Sequence, residues 1–425
     1  MGTIIRNAHP IGASLADTNL RFEDGRIAAL NPLQDPSQTS DTVIDGAGKL
    51  AIPGFINAHT HLAMVLFRGL ADDVPLQVWL EDHIWPLEQQ LQPEDVYWCS
   101  LLGIAEGIRS GTTTFVDMYF HNEQIARAVE ESGVRALLAY GMIASSLQDR
   151  GRSELAKTES LVQNWHGRAN GRIQISVSPH AVYTCGEEVI RAAVDMAHKY
   201  GTTLHTHVSE TRSEVDEWKA KTGMTPVEYL QSLDVFSVPT LAAHCVHVDA
   251  DDIGILAAHP VTVAHCPKSN AKLGSGIAPV HAMHQSGVSV AIGTDGAASN
   301  NRLDIVEELR ACWMLQRASH ENPAYMSSTQ VISMAVRAAR GLVGLPEDGF
   351  SEGAPADVVL FDTNHVHTTP PHDAEAMLAY AVNSRDVTDV YVDGKALLKN
   401  GELRTIDEER VISEVRRLLH RLKNR

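Results

Sequence analysis

KLAIPGFINAHTH, residues 49–61, is an apolar run containing β-branched residues that ends on two histidines. Seven further runs of the same character follow it: TTTFVDM (112–118), RALLAYGMI (135–143), RIQISVSPH (172–180), TTLHTHVSE (202–210), TLAAHCVH (240–247), VTVAHCP (261–267) and VSVAIGTD (288–295). Short apolar runs that alternate with segments of helical spacing are what a parallel sheet covered by helices requires. Segments such as 93–111, 122–133 and 187–201 supply the helices, with apolar residues repeating at three and four and Gly at or just past the end. Eight strand-like runs are the number that closes a barrel. Residues 57–349 are therefore expected to form an α/β unit, a (β/α)8 TIM-like barrel.

The flanks differ from this core. Residues 1–56 and 350–425 carry short alternating strands with DG and AG turns, as in RFEDGRIAALNP, DTVIDGAGKLAIPG and VTDVYVDGKALLKNGELR. Neither end alone has enough apolar residues to bury a core, so the two are expected to combine into one small β-sandwich. The final stretch, DEERVISEVRRLLHRLKNR, aligns Val411, Ile412, Val415, Leu418 and Leu419 on one stripe and predicts a closing amphipathic helix.

Composition narrows the function. With 35 Lys+Arg against 53 Asp+Glu among 425 residues, the formal charge is −18, which gives no overall attraction for nucleic acid or anionic membrane surfaces. Five dispersed cysteines without a CxxC pair argue against a disulfide framework or a cysteine-held zinc. The amino terminus lacks the charged start and long apolar run of a signal peptide, and no stretch reads as a membrane span. These features predict a soluble cytoplasmic protein without nucleic-acid or membrane partners.

Histidine is the residue that stands out, with 21 in the chain, and the histidines gather where the predicted strands end. Those ends meet at one mouth of a barrel. His59 and His61 lie two apart and can project to one face, where they can grip one ion. Further runs end on His205, His207 and Glu210, on His244 and His247, and on Asp295. Imidazoles with one carboxylate suit zinc or a similar divalent ion with a position left for water. The HExxH helix, the PCxxC partner of other zinc sites and the P-loop are absent, and GSGIAP lacks the third glycine of a dinucleotide turn. From the residues alone, His205 and His207 remain equal choices.

PGFINAHTHLAMVLFRGLADD (53–73), HTHVSE (205–210), AAHCVH (242–247), CPKSNAKLGSGIAPV (266–280) and GTDGAASNN (293–301), in this order, resemble the amidohydrolase superfamily. The likeness covers essentially the whole chain and points to the branch that contains 5'-methylthioadenosine/S-adenosylhomocysteine deaminases. It implies a barrel with a split sandwich and one metal ion per subunit, zinc first, held by His59, His61, His207 and Asp295. It selects His207 over His205, which becomes a barrel-interior histidine. Glu210 resembles the acid that protonates N1 of the adenine ring, His244 the imidazole that orients the attacking water, and Asp295 the group that accepts its proton. Strand four ends SPHAVY without a lysine, against the bridging carbamate of dinuclear relatives.

The same resemblance gives Glu88 to ribose hydroxyls, His180 to the nucleoside and Trp79 to an apolar wall. Arg152 matches an arginine that would meet the carboxylate of S-adenosylhomocysteine, whereas a second arginine is replaced around Tyr140. The expected substrate is therefore a purine nucleoside, 5'-methylthioadenosine before S-adenosylhomocysteine or adenosine, with Met64, Leu66 or Met118 around its methylthio group. Guanine deaminase or triazine hydrolase chemistry is the alternative within the superfamily, and a non-catalytic barrel scaffold the alternative outside it. The resemblance also implies a homo-oligomer, dimer or tetramer.

Overall fold

The computed structural model describes residues 2–12, 18–30, 42–71, 73–74 and 76–423. Asn31, Pro32 and Asp41 of the amino-terminal strand segments, Asp72 of the histidine motif, and Asn424 and Arg425 of the last segment lie outside the described residues. Five strands come first: β1 (Thr3–Pro10), β2 (Thr18–Glu23), β3 (Arg26–Leu30), β4 (Thr42–Asp45) and β5 (Lys49–Pro53). Eight follow: β6 (Phe55–Thr60), β7 (Thr112–Tyr119), β8 (Arg135–Met142), β9 (Ile173–Pro179), β10 (Leu204–Val208), β11 (Thr240–His244), β12 (Val261–His265) and β13 (Ser289–Ile292). The last four are β14 (Val358–Asp362), β15 (Val387–Val392), β16 (Lys395–Lys399) and β17 (Glu402–Leu403).

Strands β6 to β13 pair in sequence order as one parallel sheet. Its two edges meet through Asn57, whose side-chain oxygen accepts from Thr294 N at 2.9 Å and whose amide donates to Thr294 Oγ1 at 2.8 Å. Asp295 N completes the seam by donating to His59 O at 2.9 Å. Gly293 makes this approach available, because a Cβ there would stand 2.8 Å from His59 N. Inside, Ile56, Ala58, Val116, Leu137, Leu241, Ala264 and Ala291 from six strands form one apolar cluster, the packed centre of a barrel. The predicted helices appear as Pro93–Arg109, Asn122–Ser132 and Glu187–Tyr200, the last two ended by Gly133 and Gly201 in the left-handed conformation.

The run 49–61 is two strands. Lys49–Pro53 pairs with β14 and β1, Phe55–Thr60 opens the barrel, and the chain changes sheets at Gly54, where a Cβ would collide with the Thr113 side chain. The other strands form a mixed sheet in the order β17-β16-β15-β14-β5-β1-β2-β3, with β4 also on β1. Three strands separate β2 from β15, a span of roughly 19 Å on a flat sheet. Phe22 and Tyr391 nevertheless have ring centroids 5.9 Å apart, so the sheet folds over on an interior of Ile5, Leu20, Ile27, Val358 and Leu360. That is the sandwich built from both chain ends.

The closing helix runs Glu408–Lys423 and buries Val411 and Leu418. Leu419 departs from the predicted stripe: it lies at the stripe's edge and is exposed. No helix of the described residues is long and apolar enough to cross a membrane.

Candidate active site

His59, His61, His207, Glu210, His244 and Asp295 all lie at or just beyond the carboxyl ends of barrel strands, where the barrel's construction gathers them. In β6 the pairing register slips between Asn57 and Thr60, a bulge of the kind that re-aims side chains. Ala58 joins the apolar centre, while the His59 and His61 rings meet edge to face at 4.8 Å. Ser209, His244, Cys245 and Asp295 adopt positive φ of 50°, 73°, 46° and 62°. Such conformations cost about 1–2 kcal/mol each and are held by the surrounding hydrogen bonds, among them Cys245 N to Val208 O at 3.0 Å.

His59, His61 and His207 bring ligand atoms within 4.8 Å of one another, and His59, His244 and Asp295 do the same. Asp295 Oδ1 lies 3.1 Å from His61 Nε2 and 3.5 Å from His59 Nε2, and the latter nitrogen is buried without a hydrogen-bond partner. Each ring is fixed from behind. His61 Nδ1 donates to Met118 O at 2.5 Å, His207 Nδ1 donates to His180 O at 2.9 Å, and His59 Nδ1 meets His205 Nε2 at 2.9 Å. This pattern leaves Nε2 of each ring for an ion. Ser269 and Ser299 donate to Asp295 Oδ2 at 2.6 and 2.7 Å, and Gly296 N donates to Oδ1 at 2.8 Å.

Electrostatics suit the same purpose. Burial, with the neighbouring positive rings, holds His59 down at about 4 and His207 well below its ordinary value, which keeps their lone pairs free. Burial opposes a charge on His61 too, but hydrogen bonding and attraction to Asp295 raise it to about 9. Burial likewise opposes ionisation of Asp295, yet the close approach of the His59 and His61 rings holds it well below the usual carboxylate range. The spot between His61 and Asp295 thus favours positive charge. Three imidazoles, one of them with its Nε2 buried and unpartnered, and one carboxylate fit a divalent cation, with zinc well suited to the donor set.

Glu210 Oε2 lies 3.8 Å from His244 Nε2, and burial raises its carboxyl. Asn270 Oδ1 accepts from His244 Nδ1 at 2.9 Å, so the lone pair of this ring sits on Nε2. Glu88, Trp79, His180, Glu210, His244, His61, His207 and Asp295 all line one cavity of about 670 Å³ including its open mouth. Met64 and Met118 line it as well; Leu66 is buried outside it.

At the third barrel strand, β8, the structure locates the position named for the missing second arginine, Tyr140, and corrects the expectation for Arg152. Tyr140 does not face the cavity: Gly141 and Ile143 do, and by the period of two Tyr140 turns outward, where its hydroxyl meets Glu154 at 3.2 Å and Lys157 at 3.1 Å. Arg152 is exposed at the start of the helix Arg152–Trp165 and is absent from the cavity lining, because the chain beyond β8 carries it to the outside. Sequence reasoning also assigned no role to Asn270, Ser269, Ser299 or Tyr119. The first three stand inside the quoted CPKSN and GTDGAASNN stretches, directly after β12 and β13. Tyr119 is one residue past the end of TTTFVDM.

Residues 50–397 match the amidohydrolase family. The chain is 47% identical over 383 residues, 90% of its length and 88% of the relative's, to a 5-methylthioadenosine/S-adenosylhomocysteine deaminase of Pelotomaculum thermopropionicum. It is 44% identical over 92% of its length, and 91% of the relative's, to a 5'-deoxyadenosine deaminase of Methanothermobacter thermautotrophicus. Among solved structures, an adenosine deaminase from Xanthomonas campestris with bound zinc superposes with a TM-score of 0.94 at 30% identity, over 100% of this chain and 99% of that one.

Proposed function

The chain belongs to the amidohydrolase family, and from that premise we propose that His59, His61, His207 and Asp295 hold one divalent ion, zinc first, while Glu210, His244 and Asp295 carry the chemistry. The enzyme is a hydrolase acting on a C–N bond. It deaminates the adenine ring of 5'-methylthioadenosine to 5'-methylthioinosine with release of ammonia, and S-adenosylhomocysteine and adenosine are further substrates of the same reaction. Residues 57–349 form the metal-binding unit of this reading, with 1–56 and 350–425 as its companion.

When bound, the ion supplies Lewis acidity that brings the pKa of a water towards neutrality. Glu210, whose carboxyl burial pushes towards the protonated form, donates to N1 of the adenine ring beside the carbon under attack. His244, its Nδ1–H committed to Asn270, orients the attacking water through Nε2. Asp295 accepts the proton that the water gives up and passes it to the amino group that leaves as ammonia, while Glu210 recovers a proton from the hydroxyl left on the ring carbon as the carbonyl forms. Glu88 accepts from ribose hydroxyls, and His180 and Trp79 bound the nucleoside.

The observation that carries this reading is the Glu210–His244 pair at 3.8 Å in the same cavity as the ligand group and Glu88. The cavity's other walls include Met64, Trp85, Met118, Phe120 and Ile143, and no Lys or Arg is among its described lining residues. An uncharged methylthio arm suits such walls better than an amino-acid arm, whose carboxylate needs a cation. The test compares zinc-loaded enzyme on 5'-methylthioadenosine, adenosine and S-adenosylhomocysteine, with kcat/KM from the adenine-to-hypoxanthine absorbance change and from ammonia. Methylthioadenosine should be fastest. Equal rates for all three would remove the preference and keep the deaminase; no turnover of any, in protein shown to hold metal, would redirect the assignment to guanine or triazine substrates.

A further inference from the structure

Glu88 sits in the stretch between β6 and the helix Pro93–Arg109, in a short helical turn, Trp85–Glu88, that belongs to no sheet. Among the described residues its carboxyl has one hydrogen-bond partner, the Tyr119 hydroxyl, which donates to Oε1 at 2.6 Å. That length is typical of a charge-assisted bond to a carboxylate. Tyr119 ends β7, is buried, and lines the same cavity. The residue before it, Met118, accepts from His61 through its carbonyl at 2.5 Å. Two consecutive residues of one barrel strand therefore fix the metal-side histidine and the nucleoside-side carboxylate. A barrel strand paired on both sides is a stiff ruler, whereas the turn carrying Glu88 has no such backing.

Resting on the nucleoside reading of Glu88, we propose that Tyr119 is a specificity-determining positioning residue: its hydroxyl occupies Oε1 of Glu88, leaves Oε2 for the ribose hydroxyls, and thereby selects ribonucleosides over their dideoxy counterparts. A buried carboxylate without this donor would retain a proton more readily, since burial raises Glu88 and the Tyr119 bond opposes that rise. A protonated or swinging Glu88 presents no fixed acceptor. A site built around hydroxyl recognition discriminates strongly, because the analogue lacking the hydroxyl leaves a polar group unpaired.

The test measures kcat and KM for adenosine and 2',3'-dideoxyadenosine on zinc-loaded wild type, Tyr119→Phe, Glu88→Gln and Glu88→Asp. Wild type should prefer adenosine. In Tyr119→Phe the ratio of the two kcat/KM values should fall about tenfold or more, through KM for adenosine, with the dideoxy substrate changed less than about twofold. Glu88→Asp, which keeps the charge but shortens the reach to both Tyr119 and the ribose, should lose the same discrimination, and Tyr119→His, whose ring cannot place a donor where the phenol hydroxyl lies, serves if Tyr119→Phe fails to fold. Equal losses on both substrates in Tyr119→Phe, or an unchanged ratio while Glu88→Gln loses it, would overturn the role of Tyr119 alone. A wild-type enzyme that treats both nucleosides alike would overturn it together with the Glu88 assignment.

Discussion

The two ends of the barrel bury charge in opposite ways. At the amino-terminal end, Arg135 opens β8 and reaches Asp357 with two nitrogens at 2.6 and 3.1 Å, with Asp393 as a further partner. One guanidinium faces two carboxylates beside the composite sheet, and both are ion-paired to it. At the carboxyl end, His59, His61, His180, His205, His207 and His244 crowd together around Asp295, and the pKa values of four of these rings are driven down. Buried polar groups left this short of partners are costly unless something else completes them. The paired end fastens two sheets together; the crowded end holds a place for a cation.

Changes at each end should therefore read out differently. Asp295→Asn removes the carboxylate of the ligand group and should lower kcat by about 10⁴-fold along with bound metal, measured by turnover and metal analysis. An active Asp295→Asn enzyme would break the contrast outright. Glu210→Gln should lower kcat by about 10²–10⁴-fold at unchanged metal content, which separates proton transfer from ligation. Arg135→Met strands Asp357 and Asp393 and should cost about 3–5 kcal/mol of stability in urea unfolding, with kcat per folded molecule unchanged. A loss of kcat there would show that the two ends are coupled.

The smallest effect concerns Glu308, which is wholly buried under the Asp295 turn, accepts from Asn300 at 2.7 Å and from Lys268 N at 3.1 Å, and is raised by burial to about 8. Below the ordinary value of 4.5 both folded and unfolded chains hold this proton. Between there and about 8 only the folded chain does, so stability falls as pH rises through that window. Glu308→Gln, which does not titrate, should gain on wild type between pH 5 and pH 8 in unfolding free energy. A constant difference would show that Glu308 is ionised throughout.

Strand periodicity was legible because near-continuous apolar runs and helical spacing are local signals. The eight runs lie where β6 to β13 lie, and the histidines and carboxylates at their ends share one mouth because the fold leaves strand ends nowhere else to go. The failures were of another kind. Nothing local distinguishes Leu50 from Phe55, so the change of sheets at Gly54 within one apolar run could not be read. Which way Tyr140 faces could not be read either, because position along a strand, set by register, decides its face. Arg152 sits on a loop and helix start whose path depends on packing around it.

The sequence alone determined the kinds of groups available and their order: histidine pairs, one terminal aspartate, a barrel's worth of strands and an acidic surface charge. Those are properties of residue identity and spacing. Only the tertiary structure decided which nitrogen of each histidine faces the ligand group, that His205 backs His59, that Asn270 fixes His244, and that Tyr119 ties Glu88 to the barrel. These contacts join residues from 26 to 146 positions apart, and a hydrogen bond exists only where folding brings donor and acceptor within about 3 Å.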